Sequence, residues 1–264
     1  MIDFLVMLGF IIAVNWFFLT LVWLISLKIQ DVGIVDIYWG IGFVIMAWAC
    51  SLINFQVDPS AISESQWLIN IMVTIWGLRL SFHLAVRNLG KEEDYRYAAM
   101  RKKSAVDFRI QSYFRVFMFQ GLLQILVITP VIAIHYYPSE FGLSIFHYLG
   151  LAVWLIGFIY ETAADIQLVN FRSDPSNHNK VLNSGLWRFS RHPNYFGDVL
   201  QWLAFFIFSL QTGHYWGIIS PVLMLFIFLR LTIRLLEKPQ TNKRPEYEEY
   251  VKSTNIFFPG WKKN

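Results

Sequence analysis

Ser184-Gly-Leu-Trp-Arg-Phe-Ser-Arg-His-Pro-Asn-Tyr-Phe-Gly-Asp198 is a polar and aromatic stretch set between hydrophobic segments. Pro193 suits the first turn of a helix, where its missing N–H costs nothing. A helix running on from it puts Asn194, Asp198 and Trp202 on one face at four-residue spacing. Arg188, Arg191 and His192 stand just ahead of that helix N-terminus, an arrangement suited to a phosphate. An interfacial belt of Arg, Trp and Tyr accounts for Trp187 and Arg188. It accounts poorly for Asn194 and Asp198, because polar groups at the head of a membrane helix are costly unless they hold something.

Outward from this stretch the chain is apolar almost throughout. Of its 264 residues, 56% are hydrophobic, 18% aromatic and only 15% charged, which excludes an ordinary soluble protein. The expected fold class is all-α: one multi-pass membrane domain over residues 1–264, with no room for a separate soluble domain. The first segment has Asp3 but no basic n-region or small-residue cleavage site, so it reads as a retained helix. Cys50 is the single cysteine, which excludes an internal disulfide and a thiolate metal cluster. The six histidines show no paired ligand spacing, and no metal is expected. The net charge of +4 is too unevenly distributed to read as a nucleic-acid surface.

Apolar spans fall near 4–27, 34–55, 66–86, 113–136, 143–168, 199–211 and 215–236, predicting seven transmembrane helices. The sixth is short and borrows its first turns from Pro193–Asp198 to reach bilayer length. Seven crossings place the termini on opposite sides. The connections at 28–33, 87–112 and 169–198 and the tail from 237 then hold 18 of the 22 Lys and Arg, and the other side holds none. By the positive-inside rule the C-terminus and the basic loops are cytoplasmic and the N-terminus is outside, as for a bacterial inner-membrane protein.

Ionisable groups inside spans need a partner or a task. Span five carries Glu161 and Asp165 on one helical face, and span seven carries Arg230 and Arg234 in the same relation, with Glu237 beyond. These helices could pair acid to base. Alternatively, the carboxylates with Asp198, and the guanidiniums with Arg172, suit a ligand bearing ribose hydroxyls and phosphates. Span three adds Arg79 and His83 and runs into a loop whose Asp94-Tyr95-Arg96-Tyr97 cluster exceeds what a topology signal needs; Arg96 and Tyr97 join the proposed cofactor contacts. Span two opens with Asp36-Ile-Tyr-Trp-Gly-Ile-Gly42. Tyr38 and Trp39 alone would be an interface anchor, but Asp36 adds an acid for a substrate entering from the lipid, so Tyr38 and Asp36 are the catalytic candidates. No Gly-x-Gly-x-x-Gly turn occurs, so a nucleotide would be held by helix faces and loops.

Leu182–Asp198, with the tail Arg244-Pro-Glu-Tyr-Glu-Glu-Tyr250 and Ile256-Phe-Phe-Pro259, resembles the steroid 5α-reductase family, in particular its bacterial branch. The resemblance runs from about Asp36 to the end and is strongest over 161–202. Membrane sterol reductases share its Arg-His-x-Asn-Tyr-x-Gly-Asp core, met here by Arg191, His192, Asn194, Tyr195, Gly197 and Asp198. The resemblance implies a seven-helix enzyme that takes a hydride from NADPH and reduces a double bond conjugated to a ketone in a lipid-soluble steroid. It places cofactor contacts on Glu161, Asp165, Arg172, Asn194, Tyr195 and Asp198. In the animal enzymes a glutamate before span two and a tyrosine in span three hold the substrate carbonyl; here those positions match Asp36 loosely and Trp76. A membrane methyltransferase of the isoprenylcysteine type, using S-adenosylmethionine, is the rival reading, since it too has an Arg-His-Pro-x-Tyr core. Asn194, Asp198 and the Glu161/Asp165 pair are what it does not need.

Overall fold

The computed structural model describes residues 3–57, 62–104, 107–137, 142–243 and 246–261, with backbone only for 57 and 239–243. Arg244 and Pro245 of the tail motif, and parts of the connections at 56–65 and 137–142, lie outside the described residues. The described chain is helical, with no strand. It divides into two compact units, Met1–Ser144 with Gln211–Gly217, and Ile145–Leu210 with Ile218–Asn264.

The first unit opens with α1 (Phe4–Ile29), α2 (Ile34–Val57) and α3 (Glu64–Asn88). Asp3 caps α1 by accepting from the Leu5 N–H at 2.8 Å, and Gln30 ends it in the left-handed region. Ser63 and Gln66 form a reciprocal capping box at the start of α3. A short helix, α4 (Tyr95–Lys103), is capped by Asp94. Then come α5 (Phe108–Ser112), a π-helical segment Tyr113–Met118, α6 (Phe119–Val127) and α7 (Thr129–Tyr136). The span expected at 113–136 is thus broken. Pro130 cannot donate to the preceding turn, so the helix restarts at Thr129.

The second unit contains α8 (Ile145–Ser173), α9 (Pro193–Ser209), α10 (Ile219–Phe226), a π-helical segment Ile227–Thr232, α11 (Ile233–Lys243) and α12 (Glu246–Ser253). Pro193 does open α9. Six helices among the described residues are long and apolar enough to cross a membrane, the last of them Trp216–Lys238. At seventeen residues, α9 is just under the length required of those six. The protein is therefore a multi-pass all-α membrane protein.

The polarity of the helices is inverted relative to a soluble bundle. Leu5, Phe17, Leu78, Phe82, Ile156 and Ile159 are exposed, whereas Asn15, Asn70, Gln124 and Gln201 are buried. Apolar surface on that scale has no place in water, while a lipid phase makes it cheap and sends amides inward for partners. Far along α2 from Asp36, Asn70 donates to the Ser51 hydroxyl at 2.7 Å and meets His135 Nε2 at 3.0 Å. Asn54 and Gln66 both donate to the His135 carbonyl. These bonds fasten α2, α3 and α7 to one another.

Candidate functional site

In the second unit, α8 and α9 cross where glycine meets glycine. A Cβ on Gly197 would stand 2.6 Å from the Glu161 nitrogen and 2.7 Å from the Gly157 oxygen. No side chain fits there, so the two backbones close up and set the acids of α8 against the polar face of α9. Asn194 Nδ2 donates to Asp165 Oδ1 at 3.1 Å, and Gln201 Nε2 donates to Glu161 Oε2 at 2.6 Å. Glu161, Asp165 and Asp198 are all buried. The carbonyl oxygens of Asn194 and Gln201 are also buried and receive no hydrogen bond from any described residue. The site is therefore rich in acceptors.

The loop ahead of α9 is bolted to α8 as well. Leu186 N–H donates to Gln167 Oε1 at 2.9 Å and Trp187 Nε1 donates to the Ala164 carbonyl at 3.1 Å. Gly185 has φ +58° and lies against the Gln167 side chain, so both its backbone and its missing Cβ are needed.

Arg191 and His192 have other partners than the anion expected of them. Arg191 forks onto Glu237 at 2.8 and 3.2 Å, and His192 Nε2 meets the same carboxylate at 3.0 Å. The second Nη of Arg191 donates to the Val251 and Thr254 carbonyls at 2.9 and 3.1 Å. His192 stacks on Tyr195, which stacks in turn on Phe228 at 4.4 Å. Burial holds the His192 imidazole below its ordinary pKa, with Glu237 opposing that and Arg191 adding to it. Arg172 and Arg188 are exposed, as are Arg230 and Arg234. Glu161 and Asp165 take amide partners from α9.

The first unit has its own polar centre. Asp36, in the first turn of α2, accepts from Tyr97 OH at 2.7 Å and from Arg96 Nη2 at 2.9 Å. Gln120 on α6 donates to the Tyr97 oxygen at 3.3 Å. Burial pushes the Tyr97 phenol well above the usual range, and the Asp36 charge adds to the effect. Burial also opposes ionisation of Asp94, but hydrogen bonds from the Arg96 side chain and N–H, with the charges of Arg96 and Arg87, outweigh it and hold the carboxyl below its usual value. Asp36 thus supports Tyr97, and no described contact joins it to the other catalytic candidate, Tyr38. The Tyr38 hydroxyl donates to Asn15 Oδ1 at 3.3 Å, and Asn15 reaches the Gly121 carbonyl at 3.4 Å. Gln124 donates to the Trp39 carbonyl at 3.0 Å. Arg79 is half-buried on α3.

The structure therefore sets Asp165 against Asn194 and Glu161 against Gln201 at one crossing, with Asp198 buried on α9, and gathers Asp36, Arg96 and Tyr97 at another centre. The sequence reading missed Gln201, although its place three residues after Asp198 and seven after Asn194 put it on the same face. It also missed Asn15, Gln120 and Gln124, amides inside apolar runs. Among the described residues no group of His, Cys, Asp and Glu could hold a metal ion.

Comparison with known proteins places this architecture. Residues 22–254 match the family described as protein of unknown function (DUF1295). The chain belongs to that family. An uncharacterized protein of Schizosaccharomyces pombe is 24% identical over 262 residues, covering 90% of this chain and 75% of its own. The 3-oxo-5-alpha-steroid 4-dehydrogenase 1 of Rattus norvegicus is 29% identical over 110 residues, 42% of this chain and 40% of the rat protein. The very-long-chain enoyl-CoA reductase of Dictyostelium discoideum is 30% identical over 112 residues, 42% of this chain and 35% of that one. The matched stretch thus spans well under half of either reductase. No solved structure matches the chain. Through these matches the chain is related to the steroid 5α-reductase type of membrane reductase.

Proposed function

We propose that this protein is an NADPH-dependent membrane reductase that saturates a carbon–carbon double bond conjugated to a ketone in a steroid-like lipid. The observation that carries the reading is the acceptor-rich crossing of α8 and α9. Carboxylates of Glu161, Asp165 and Asp198 and the open carbonyl oxygens of Asn194 and Gln201 suit a ligand that brings donors. Ribose hydroxyls and the carboxamide of a nicotinamide nucleotide are such donors, so the residues present fit the cofactor. Exposed Arg172 and Arg188 supply charge for phosphates.

When bound, NADPH supplies the hydride delivered to the β-carbon of the enone. Negative charge then collects on the ketone oxygen, and the protein must supply a donor there. Removing such a donor typically raises a barrier by about 2.7–4 kcal/mol. Tyr38 is the first choice. Its hydrogen bond to Asn15 is long at 3.3 Å, so exchanging it for a ketone oxygen gives up little. Asp36, which anchors Arg96 and Tyr97, fixes the head of α2 that carries Tyr38. Family residues 22–254 run through both units, which supports one functional domain. The crossing that brings the six long apolar helices to seven is α9, sixth in chain order, and the C-terminus and cofactor loops are cytoplasmic.

The deciding experiment is thermal stabilisation of the purified protein by NADPH, NADH or S-adenosylmethionine, followed by NADPH oxidation with a 4-ene-3-keto steroid. Stabilisation by NADPH with steroid-dependent oxidation is the expected result. Stabilisation by S-adenosylmethionine alone would make the protein a methyltransferase.

A further inference from the structure

We propose that Arg191 is a positioning residue, not a phosphate ligand, and that through it the C-terminal segment Glu246–Trp261 holds the opening turn of α9 against α8. The proposal rests on the nucleotide reading only for what that turn binds. A guanidinium has five N–H donors in a fixed fork. Arg191 spends four hydrogen bonds on Glu237, Val251 and Thr254 and is 8% exposed. An incoming phosphate would have to displace a carboxylate that already grips the fork from both sides. The Val251 and Thr254 carbonyls stand at the end of α12, where backbone oxygens lack helical partners and the helix dipole is negative. Arg191 is therefore the cap of α12 and, through Glu237, the tie to α11.

The other bonds of this region run the same way. Tyr250 OH donates to the Trp187 carbonyl at 2.6 Å and Ser190 Oγ to the Phe257 carbonyl at 2.7 Å. Arg191 N–H donates to the Asn255 carbonyl at 2.9 Å, and Gly260 N–H to the Phe189 carbonyl at 3.0 Å. Every rung lands on Trp187–Arg191, the residues that lead into His192 and Pro193. Asn194, one residue beyond Pro193, makes the contact with Asp165. A tail laced so densely to the entrance of α9 sets where Asn194 and Asp198 stand.

The test compares Arg191→Ala, Arg191→Lys, a truncation after Ser253 and the truncation combined with Arg191→Ala. NADPH affinity is measured alongside tryptic cleavage of the tail in the untruncated forms. Arg191→Ala and the truncation should each weaken NADPH binding about tenfold or more, and together scarcely more than either alone, because both cut one device. Tail cleavage should accelerate in Arg191→Ala. Lysine should not restore either property, since it keeps the charge but loses the fork. Weakened binding with a protease-resistant tail, additive with the truncation, would instead make Arg191 a direct ligand and overturn the proposal. If Arg191→Ala does not elute as a single species, Tyr250→Phe and Ser190→Ala remove one rung each and should show the same paired losses in milder form. Should wild-type protein fail to bind NADPH, the cofactor reading falls, while unchanged tail cleavage in the variants would by itself refute the clasp.

Discussion

Tyr97 donates its hydroxyl hydrogen to Asp36 across 2.7 Å, and the bond joins α4 to the head of α2. Phenol and carboxylate come from positions 61 residues apart. Gln120 and Arg96 bond the same pair, so the helix of a basic loop is held by a half-buried polar knot as well as by packing. Tyr97→Phe keeps the ring and removes the bond to the Asp36 carboxylate together with the long one from Gln120; losing the first alone should cost about 1.5–3 kcal/mol of stability. Denaturation of the two proteins in the same detergent measures it; equal stability would show that the bond has no net worth. The wild type should also lose stability above about pH 10, where the unfolded phenol ionises and the folded one does not. Tyr97→Phe should lose less.

A second pH effect belongs to His192. Its folded pKa lies below the ordinary value, so below about pH 6.5 the unfolded chain takes up a proton that the folded chain refuses. Stability should therefore fall as pH drops through that window. In His192→Gln this part of the slope should vanish. Thermal unfolding between pH 7.5 and 5.5 measures the difference, and parallel slopes would remove His192 as the cause.

Nucleotide choice follows from the site's chemistry. Exposed Arg172 and Arg188 favour the extra phosphate, so NADPH should bind more tightly than NADH. Asn194→Ala and Asp198→Ala should each weaken that binding by tenfold or more while the protein still elutes as a single species. Affinity unchanged in both would leave the crossing a packing device.

Most of the architecture could be read in the sequence because lipid imposes a simple rule. Apolar runs long enough to cross a bilayer become helices, and Pro193 marks where α9 begins. The meeting of Asp165 with Asn194 was also legible, since helical spacing puts the polar residues of each helix on one face. What stayed hidden was choice of partner. Arg191 reads as a free cation ahead of a helix, and nothing local reveals that Glu237 and Thr254, 46 and 63 residues on, will claim its donors. Likewise nothing local to Asp36 reveals that its partner will be Tyr97, 61 residues on. The π-helical segments at Tyr113–Met118 and Ile227–Thr232 left no signal, because hydrophobic composition is indifferent to one residue more per turn.

Topology makes a prediction independent of chemistry. The sorting of 18 basic residues to one side and none to the other calls for an external N-terminus and a cytoplasmic C-terminus. Reporter fusions after Gln56 and Gly142 should read as external, and one after Asn264 as cytoplasmic. A cytoplasmic signal at Gln56 or Gly142 would break the seven-crossing arrangement.

The proton donor is the sharpest test of the proposed reaction. Tyr38 is 5% exposed, in a cluster with Leu19 of α1, Val35 of α2 and Val116 and Phe117 of the π-helical segment, so its hydroxyl is sheltered from water. Its present acceptor, Asn15 Oδ1, is neutral and 3.3 Å away, whereas the Tyr97 hydroxyl is committed to a carboxylate at 2.7 Å. A ketone oxygen gathering charge competes more easily for the first proton than for the second. Tyr38→Phe should therefore lower turnover of a 4-ene-3-keto steroid by on the order of a hundredfold while NADPH affinity holds. Tyr97→Phe should cost stability more than turnover. The reverse outcome, with wild-type turnover in Tyr38→Phe and loss in Tyr97→Phe, would move proton donation to the Asp36–Tyr97 pair.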